Sequence, residues 1–289
     1  MSSANPEHRN ALLLLIITAT LWSFGGLLIK MIEWNSFAIA GGRSFFAAIV
    51  LWIFLRRPKF TWSSAQLGAA IAYACCCGLF VVATKLTTAA NAIVLQYTGP
   101  IYVALLSGWL LHEKITRLDW ITIFIVIAGM ALFFADSLSA DGMAGNIIAI
   151  ISGISFAFLA LFLRKQKHGS PIESLLLGNI IIVVCASPWM FSFSENTSSI
   201  PLLNGLDATG LFWLSILGII QLGIPYILYG KAIKHVTALE ATLVPVLEPL
   251  LNPLWVLLIQ HEKPSGISII GGIIILGAML LRGIIVSRK

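Results

Sequence analysis

Runs of about 20 predominantly apolar residues, each long enough to cross a hydrocarbon layer roughly 30 Å thick, follow one another from Ala11 to Val286 with short polar interruptions. Hydrocarbon offers no partner for a backbone N–H or C=O, so a chain built this way must satisfy those groups internally, as helices or as a closed barrel. Runs of this length read as membrane-spanning helices. Only 10% of the 289 residues are charged, against about 25% in a soluble domain. A soluble domain carried by one anchor is thereby excluded, and no polar stretch is long enough for an enzyme domain outside the bilayer. The net charge of +6, without a long basic tract, reads as a topology signal rather than a nucleic-acid footprint. The first run lacks a small-residue cleavage exit, so it reads as a span and not as a signal peptide.

Polar breaks divide the chain into ten expected spans, near 11–30, 36–55, 64–84, 88–110, 119–135, 145–163, 172–191, 209–230, 237–259 and 267–286. The breaks carry helix-stopping chemistry, such as Arg56, Arg57 and Pro58, or Lys263, Pro264 and Gly266. With the N-terminus inside, fourteen of eighteen Lys and Arg fall on the cytoplasmic side, Lys30, Lys85 and Lys263 fall outside, and Arg43 lies within the second span. Both termini are then cytoplasmic, in a cell (inner) membrane.

The chain also repeats itself. A shift of 149 residues aligns Ala83–Leu132 with Ala232–Leu281 without a gap, matching Lys85 with Lys234, Thr88 with Thr237, Pro100 with Pro249, and His112, Glu113 and Lys114 with His261, Glu262 and Lys263. Five spans, an odd number, separate equivalent points, so the halves must be inverted. The expected architecture is all-α, two five-helix inverted-topology repeats over residues 1–138 and 139–289. Halves of opposite orientation can exchange conformations around a central site, which is the architecture of alternating access.

Of twelve carboxylates, Glu248 alone lies deep in a span. A carboxylate there costs about 2.5–3.5 kcal/mol on insertion scales, so it must face a wet cavity, pair with a cation or hold a proton. It reads as a proton carrier, as a ligand for a substrate ammonium, or as a packing hydrogen bond. Pro245, Pro249 and Pro253 recur every four residues around it, and each withholds the donor for the carbonyl four residues earlier, on Ala241, Pro245 and Pro249. Asn252 adds an amide one turn beyond. The counterpart fourth helix carries Asn91, Gln96, Tyr97, Thr98, Gly99, Pro100 and Tyr102. Asn91, Thr98 and Tyr102 share one face, and Gly99 stands at the repeat position of Glu248. Arg43 either bonds carbonyls of a neighbouring helix or joins a carboxylate site. Lys85 and Lys234 read as helix-end caps or gate partners. Trp22, Tyr73, Phe156 and Tyr226 are aromatic candidates for a cavity wall, and Gln221, one turn before the kink at Pro225, is a buried amide that requires a partner.

Cys75, Cys76, Cys77 and Cys185 lie inside apolar runs, without disulfide or zinc spacing, and read as packing residues. All five histidines lie in the tail or the breaks, which argues against a Ser–His site at depth, and two intramembrane aspartates are lacking. No metal motif and no cofactor signature is present, so an enzyme is not expected.

Leu21, Trp22 and Ser23 in the first helix, Gly42 to Ala48 in the second, and the stretches Pro100 to Glu113 and Glu248, Pro249 to Glu262 together give a pattern. In it the chain resembles the ten-helix EamA-type members of the drug/metabolite transporter superfamily over almost its whole length. The resemblance implies secondary transport, often export, of small metabolites through a cavity lined by helices 1, 3, 4, 6, 8 and 9. It points most closely to the aromatic and general amino-acid exporters. On that expectation the halves rock about a site where Glu248 and Asn252 meet a polar or ammonium end and Trp22, Tyr102, Phe156 and Tyr226 enclose an apolar end. Partners are then a small molecule, the bilayer and protons, with the protein a monomer or weak oligomer. A proton-coupled antiporter of cationic drugs, a facilitator and a non-transport membrane scaffold are the alternatives.

Overall fold

The computed structural model describes residues 6–32, 34–138, 140–190, 208–251 and 265–287, and among these it is all-helical. The helices are α1 (Pro6–Trp22), α2 (Gly25–Met31), α3 (Ser36–Leu55), α4 (Ser64–Leu86), α5 (Ala89–Gln96), α6 (Gly99–Leu111), α7 (Arg117–Phe133), α8 (Met143–Lys165), α9 (Pro171–Met190), α10 (Ala208–Ile216), α11 (Ile224–Ala232), α12 (Ala238–Leu243), a short α13 over 247–251, and α14 (Gly266–Ser287). Among the described residues, seven stretches are long and apolar enough to cross a membrane: Ser36–Leu55, Ser64–Leu86, Ala89–Leu111, Met143–Lys165, Pro171–Pro188, Thr209–Ala232 and Gly266–Val286. The other three expected spans have local reasons to fall short. The first breaks at Ser23 and Phe24, α7 has only 17 residues, and much of the ninth lies outside the described residues.

The ends are set by side chains that satisfy the first free N–H groups. Asn35 Oδ1 accepts from the Ala38 N–H at 2.8 Å, and Ser63 and Thr88 cap α4 and α5 in the same way. Thr116 with Asp119, and Thr237 with Glu240, form reciprocal capping boxes on α7 and α12.

Three spans are interrupted where proline or glycine demands it. Pro100 leaves the Gln96 carbonyl without its helical donor, and the fourth span turns at Tyr97 and Thr98 between α5 and α6. Pro225 does the same to Gln221, and α10 runs into α11 through a π-helical segment, Leu217–Gly223. That widened segment lies against α3 so closely that a Cβ on Gly218 would sit 2.6 Å from the Arg43 carbonyl oxygen. Around Pro245 the backbone tightens into a 3₁₀ turn, Val244–Val246.

The bundle pairs α3 with α9, α7 with α14, and α6 with α12, while α4 packs on α8 and α1 on α11. Its polarity is inside out relative to a soluble protein. Trp109, Ile53, Val184, Ile273 and Leu280 face outward, whereas Thr18, Arg43, Asn91, Ser152, Asn179 and Gln221 are buried among helices.

Candidate functional site

Where α1 breaks, the carbonyl of Trp22 is no longer consumed by helical bonding, and Gln221 Nε2 donates to it at 3.4 Å. The indole of Trp22 meets Tyr226 at 4.9 Å, Tyr229 at 5.5 Å and Phe156 at 6.3 Å between ring centres, so α1, α8 and α11 share an aromatic wall. This wall bounds a narrow, half-open cavity of about 420 Å³ when the open solvent at its mouth is included. The expected residues Trp22, Phe156, Gln221, Tyr226 and Glu248 all line it. The remaining lining comes from Arg43 on α3, Cys76, Cys77 and Phe80 on α4, Gln96 and Tyr97 at the end of α5, and Leu222 of the π segment.

Glu248 is held from the first half of the chain. The Tyr97 hydroxyl lies 2.6 Å from Glu248 Oε2 and 2.7 Å from the Pro245 carbonyl. The second acceptor is one of the carbonyls that the proline spacing frees, because Pro249 has no N–H to give it. It is taken by a tyrosine rather than left open to the cavity, as the spacing had suggested. Opposite, Gln96 Nε2 donates to Ser152 Oγ at 2.8 Å, and Ser152 Oγ donates to the Cys76 carbonyl at 2.8 Å.

Arg43 is 2% exposed and does not reach out toward the membrane surface. Its NH2 donates to the Cys77 carbonyl at 2.6 Å, the carbonyl-bonding role expected of it, yet it also faces the cavity. Arg43 Nε, Trp22 Nε1 and Gln221 Oε1 are buried without a hydrogen-bond partner. Cys77 Sγ sits 3.2 Å from the Tyr226 hydroxyl.

The structure separates the other expected residues from this cavity. Tyr73 is fully buried behind Tyr226, ring centres 4.7 Å apart, and its hydroxyl donates to Asn179 Oδ1 at 3.1 Å. Asn91 Nδ2 donates to Thr87 Oγ1 and to Asn146 Oδ1, at one end of the bundle. Thr98 returns its hydroxyl to the Leu95 carbonyl at 2.7 Å, and Tyr102 packs in a second apolar cluster around Val103 and Leu161. The shared face expected for Asn91, Thr98 and Tyr102 assumed one continuous helix, and the turn at Tyr97 breaks that periodicity. Pro100, Pro225, Pro245 and Pro249 sit at or next to the backbone interruptions, while Asn252 and Pro253 lie outside the described residues.

Of the other lining residues, the sequence pattern assigns Cys76 and Cys77 to packing, passes over Phe80 and Leu222, marks Gln96 and Tyr97 as polar without a cavity role, and leaves Arg43 between carbonyl bonding and a carboxylate site. The available signal for Tyr97 and Gln96 was their position just before Gly99 and Pro100, where a helix must open. Lys85 Nζ donates to the carbonyl of Ile32, the C-cap of α2, and Lys234 Nζ to the carbonyl of Gly169 in the turn between α8 and α9, each at 2.7 Å. Among the described residues no group of three or more His, Cys, Asp or Glu could hold a metal ion, and the four cysteines are free thiols.

The family model of the EamA-like transporters matches residues 9–135 and 143–283. An uncharacterized transporter of Archaeoglobus fulgidus is 22% identical over 282 residues, covering 95% of each chain. The uncharacterized transporter YwfM of Bacillus subtilis is 26% identical over 247 residues, 84% of this chain and 81% of its own. A solved crystal structure superimposes with a TM-score of 0.77 over 96% of this chain and 98% of its own, at 16% identity, a likeness of fold. With both matched segments spanning nearly the whole sequence, the chain belongs to the EamA-like transporter family, as a multi-pass membrane protein.

Proposed function

We propose that the protein is a secondary transporter exporting small amine-bearing metabolites, amino acids foremost, by alternating access around the central cavity. The observation that carries this reading is the placement of Glu248, the one deep carboxylate, in the same cavity as Trp22, Phe156 and Tyr226. A carboxylate among aromatic faces suits a cargo with a cationic head and an apolar body. Trp22 and Phe156 come from the first helices of the two halves, and Tyr97 and Glu248 from the fourth and ninth spans, so relative movement of the halves would remake the site.

In this reading the chain has ten spans in two inverted five-helix repeats, 1–138 and 139–289, with both termini cytoplasmic. Two observations support it. The family model matches twice, once in each half. The packing pairs α3 with α9, α6 with α12 and α7 with α14, and it exchanges α4·α8 for α1·α11, as a two-fold relation between the halves requires.

A proton is the proposed coupling ion. The single Tyr97 hydroxyl proton lies between two acceptors at 2.6 and 2.7 Å. A proton on Glu248 completes a chain in which the carboxyl donates to Tyr97 and Tyr97 donates to Pro245. An arriving ammonium would take that proton's place. The protein is read as a monomer or weak oligomer.

Efflux of labelled amino acids from proteoliposomes, with and without a pH gradient, tests the reading against Glu248→Gln. Native vesicles should release aromatic or other neutral amino acids faster under the gradient, and the variant should lose at least tenfold of that rate. Flux of lipophilic cations alone would instead establish the cationic-drug antiporter. No flux of either would leave a membrane scaffold.

A further inference from the structure

The least compensated charge in the cavity is that of Arg43. Its guanidinium has five N–H groups, is 2% exposed, and gives one of them to the neutral Cys77 carbonyl. Nε is buried without a partner, and among the described residues no ion pair includes Arg43. Among the described residues the only carboxylate lining the cavity is Glu248, which is engaged by Tyr97. A buried guanidinium serving only to bind one carbonyl is a poor use of a permanent charge, because removal from water is offset only by an anion or by several hydrogen bonds. A second buried donor, the indole Nε1–H of Trp22, lines the same cavity and is also unpartnered.

We propose that Arg43, assisted by the Trp22 N–H, is the subsite for a carboxylate of the cargo. The carried species is then a zwitterion, with its carboxylate on Arg43 and its ammonium on Glu248 and the unpartnered Gln221 Oε1. The planar fork of arginine matches a carboxylate in a bidentate geometry that lysine cannot reproduce. The inference rests on the transport reading above but makes a narrower claim. An amine without a carboxylate should be a poor cargo, because it leaves Arg43 as unsatisfied as the empty site does.

The test compares phenylalanine with phenethylamine, which differs by loss of the carboxylate, in equilibrium binding and in proteoliposome flux. Native protein should bind phenylalanine at least tenfold more tightly. Arg43→Gln should weaken phenylalanine binding tenfold or more and leave phenethylamine within twofold, and Arg43→Lys should recover only part of the loss. Trp22→Phe keeps the ring and removes the donor, so it should cost phenylalanine several-fold and phenethylamine little. It carries the test if Arg43→Gln does not fold. Equal native binding of the two compounds, or an equal loss of both in the variants, overturns the carboxylate subsite while the amine-transport reading stands. Failure of native protein to bind either compound overturns both.

Discussion

The two ends of the bundle are built on the same plan with different chemistry. At one end Thr87, Thr88, Asn91 and Asn146 tie the start of α5 to the start of α8 through neutral hydrogen bonds, Thr87 Oγ1 and Asn91 Nδ2 reaching Asn146 Oδ1 at 2.8 and 3.0 Å. At the other end the repeat-equivalent Thr237 and Glu240 tie the start of α12 to the start of α1, with His8 Nε2 3.2 Å from Glu240 Oε2. There the joint is ionic and extends further. Arg282 Nε reaches Asp119 Oδ1 at 2.8 Å, and Arg164 Nε reaches Glu113 Oε1 at the same distance. Glu113 Oε2 accepts the Ala238 N–H at 3.0 Å, and Arg164 NH1 donates to the carbonyls of Ile233 and Lys234. A partly buried ion pair broken from one side leaves a charge stranded, whereas a lost neutral hydrogen bond is largely replaced by water. The ionic end is therefore expected to be the costlier one to separate, and in the proposed cycle its opening is the costlier half of the exchange.

The largest effect is expected from Arg164→Gln, which strands Glu113 and releases two carbonyls. About 2–4 kcal/mol of local stability should be lost, toward the lower part of the range for buried pairs because both side chains keep some solvent contact. Amide exchange over residues 233–238 should rise by about tenfold or more, at roughly 1.4 kcal/mol per factor of ten. Unchanged exchange there would refute the idea that this end is latched. Arg282→Gln comes next, because Asp119 and Glu240 are both left facing a neutral amide. A loss of about 2 kcal/mol is expected in thermal unfolding. Pairing it with Asp119→Asn should recover part of the loss, since the stranded charge is then removed.

Glu240→Gln sharpens the comparison further by giving the ionic end the neutral chemistry of its counterpart at Asn91. The amide can still accept from the Thr237 N–H, so the helix start survives, and about 1–2 kcal/mol should be lost with the His8 and Arg282 contacts. Inward-directed and outward-directed counterflow rates should move closer together in this variant. A shift in the opposite sense would mean that the carboxylate's charge does not set the preference between ends.

Much of this plan was legible in the sequence, and the reason is local. Apolar length gave the helices, while the threonine caps that start them at Thr88, Thr116 and Thr237 came from the structure. Glu248 was legible because a lone deep carboxylate is costly enough to require a reason. Asn91, Thr98 and Tyr102 group on helical periodicity, which cannot carry through a break, and Tyr73 reads as an aromatic in a span, which does not say that Tyr226 stands beside it. The break at Tyr97 and Thr98 put Tyr102 in a different cluster and brought Tyr97 itself to Glu248. Arg43 was ambiguous for a different reason. A distance along a helix does not say which way the side chain points, and it is the burial of Arg43 and its bond to the Cys77 carbonyl that show it turned inward. The asymmetry at the repeat position of Glu248 is likewise tertiary, since a Cβ on Gly99 would sit 3.2 Å from the Gly153 carbonyl oxygen and 3.3 Å from Phe156. The close approach of α8 leaves no room there for a second carboxylate.

The smallest effect should come from Asn146→Ala at the neutral end. The substitution removes the acceptor shared by Thr87 and Asn91, but Asn91 Nδ2 keeps its bond to Thr87 Oγ1 at 3.1 Å, and water can reach a joint that is only partly buried. A net loss of about 1 kcal/mol follows, the ordinary worth of a neutral hydrogen bond. Exchange over residues 87–92 should therefore rise by about fivefold, less than Arg164→Gln produces over 233–238. Because opening at this end should already be frequent, outward release of cargo should change by less than twofold. Equal effects at the two ends would show that charge adds nothing to the latch, and the ends would then differ in composition without differing in strength.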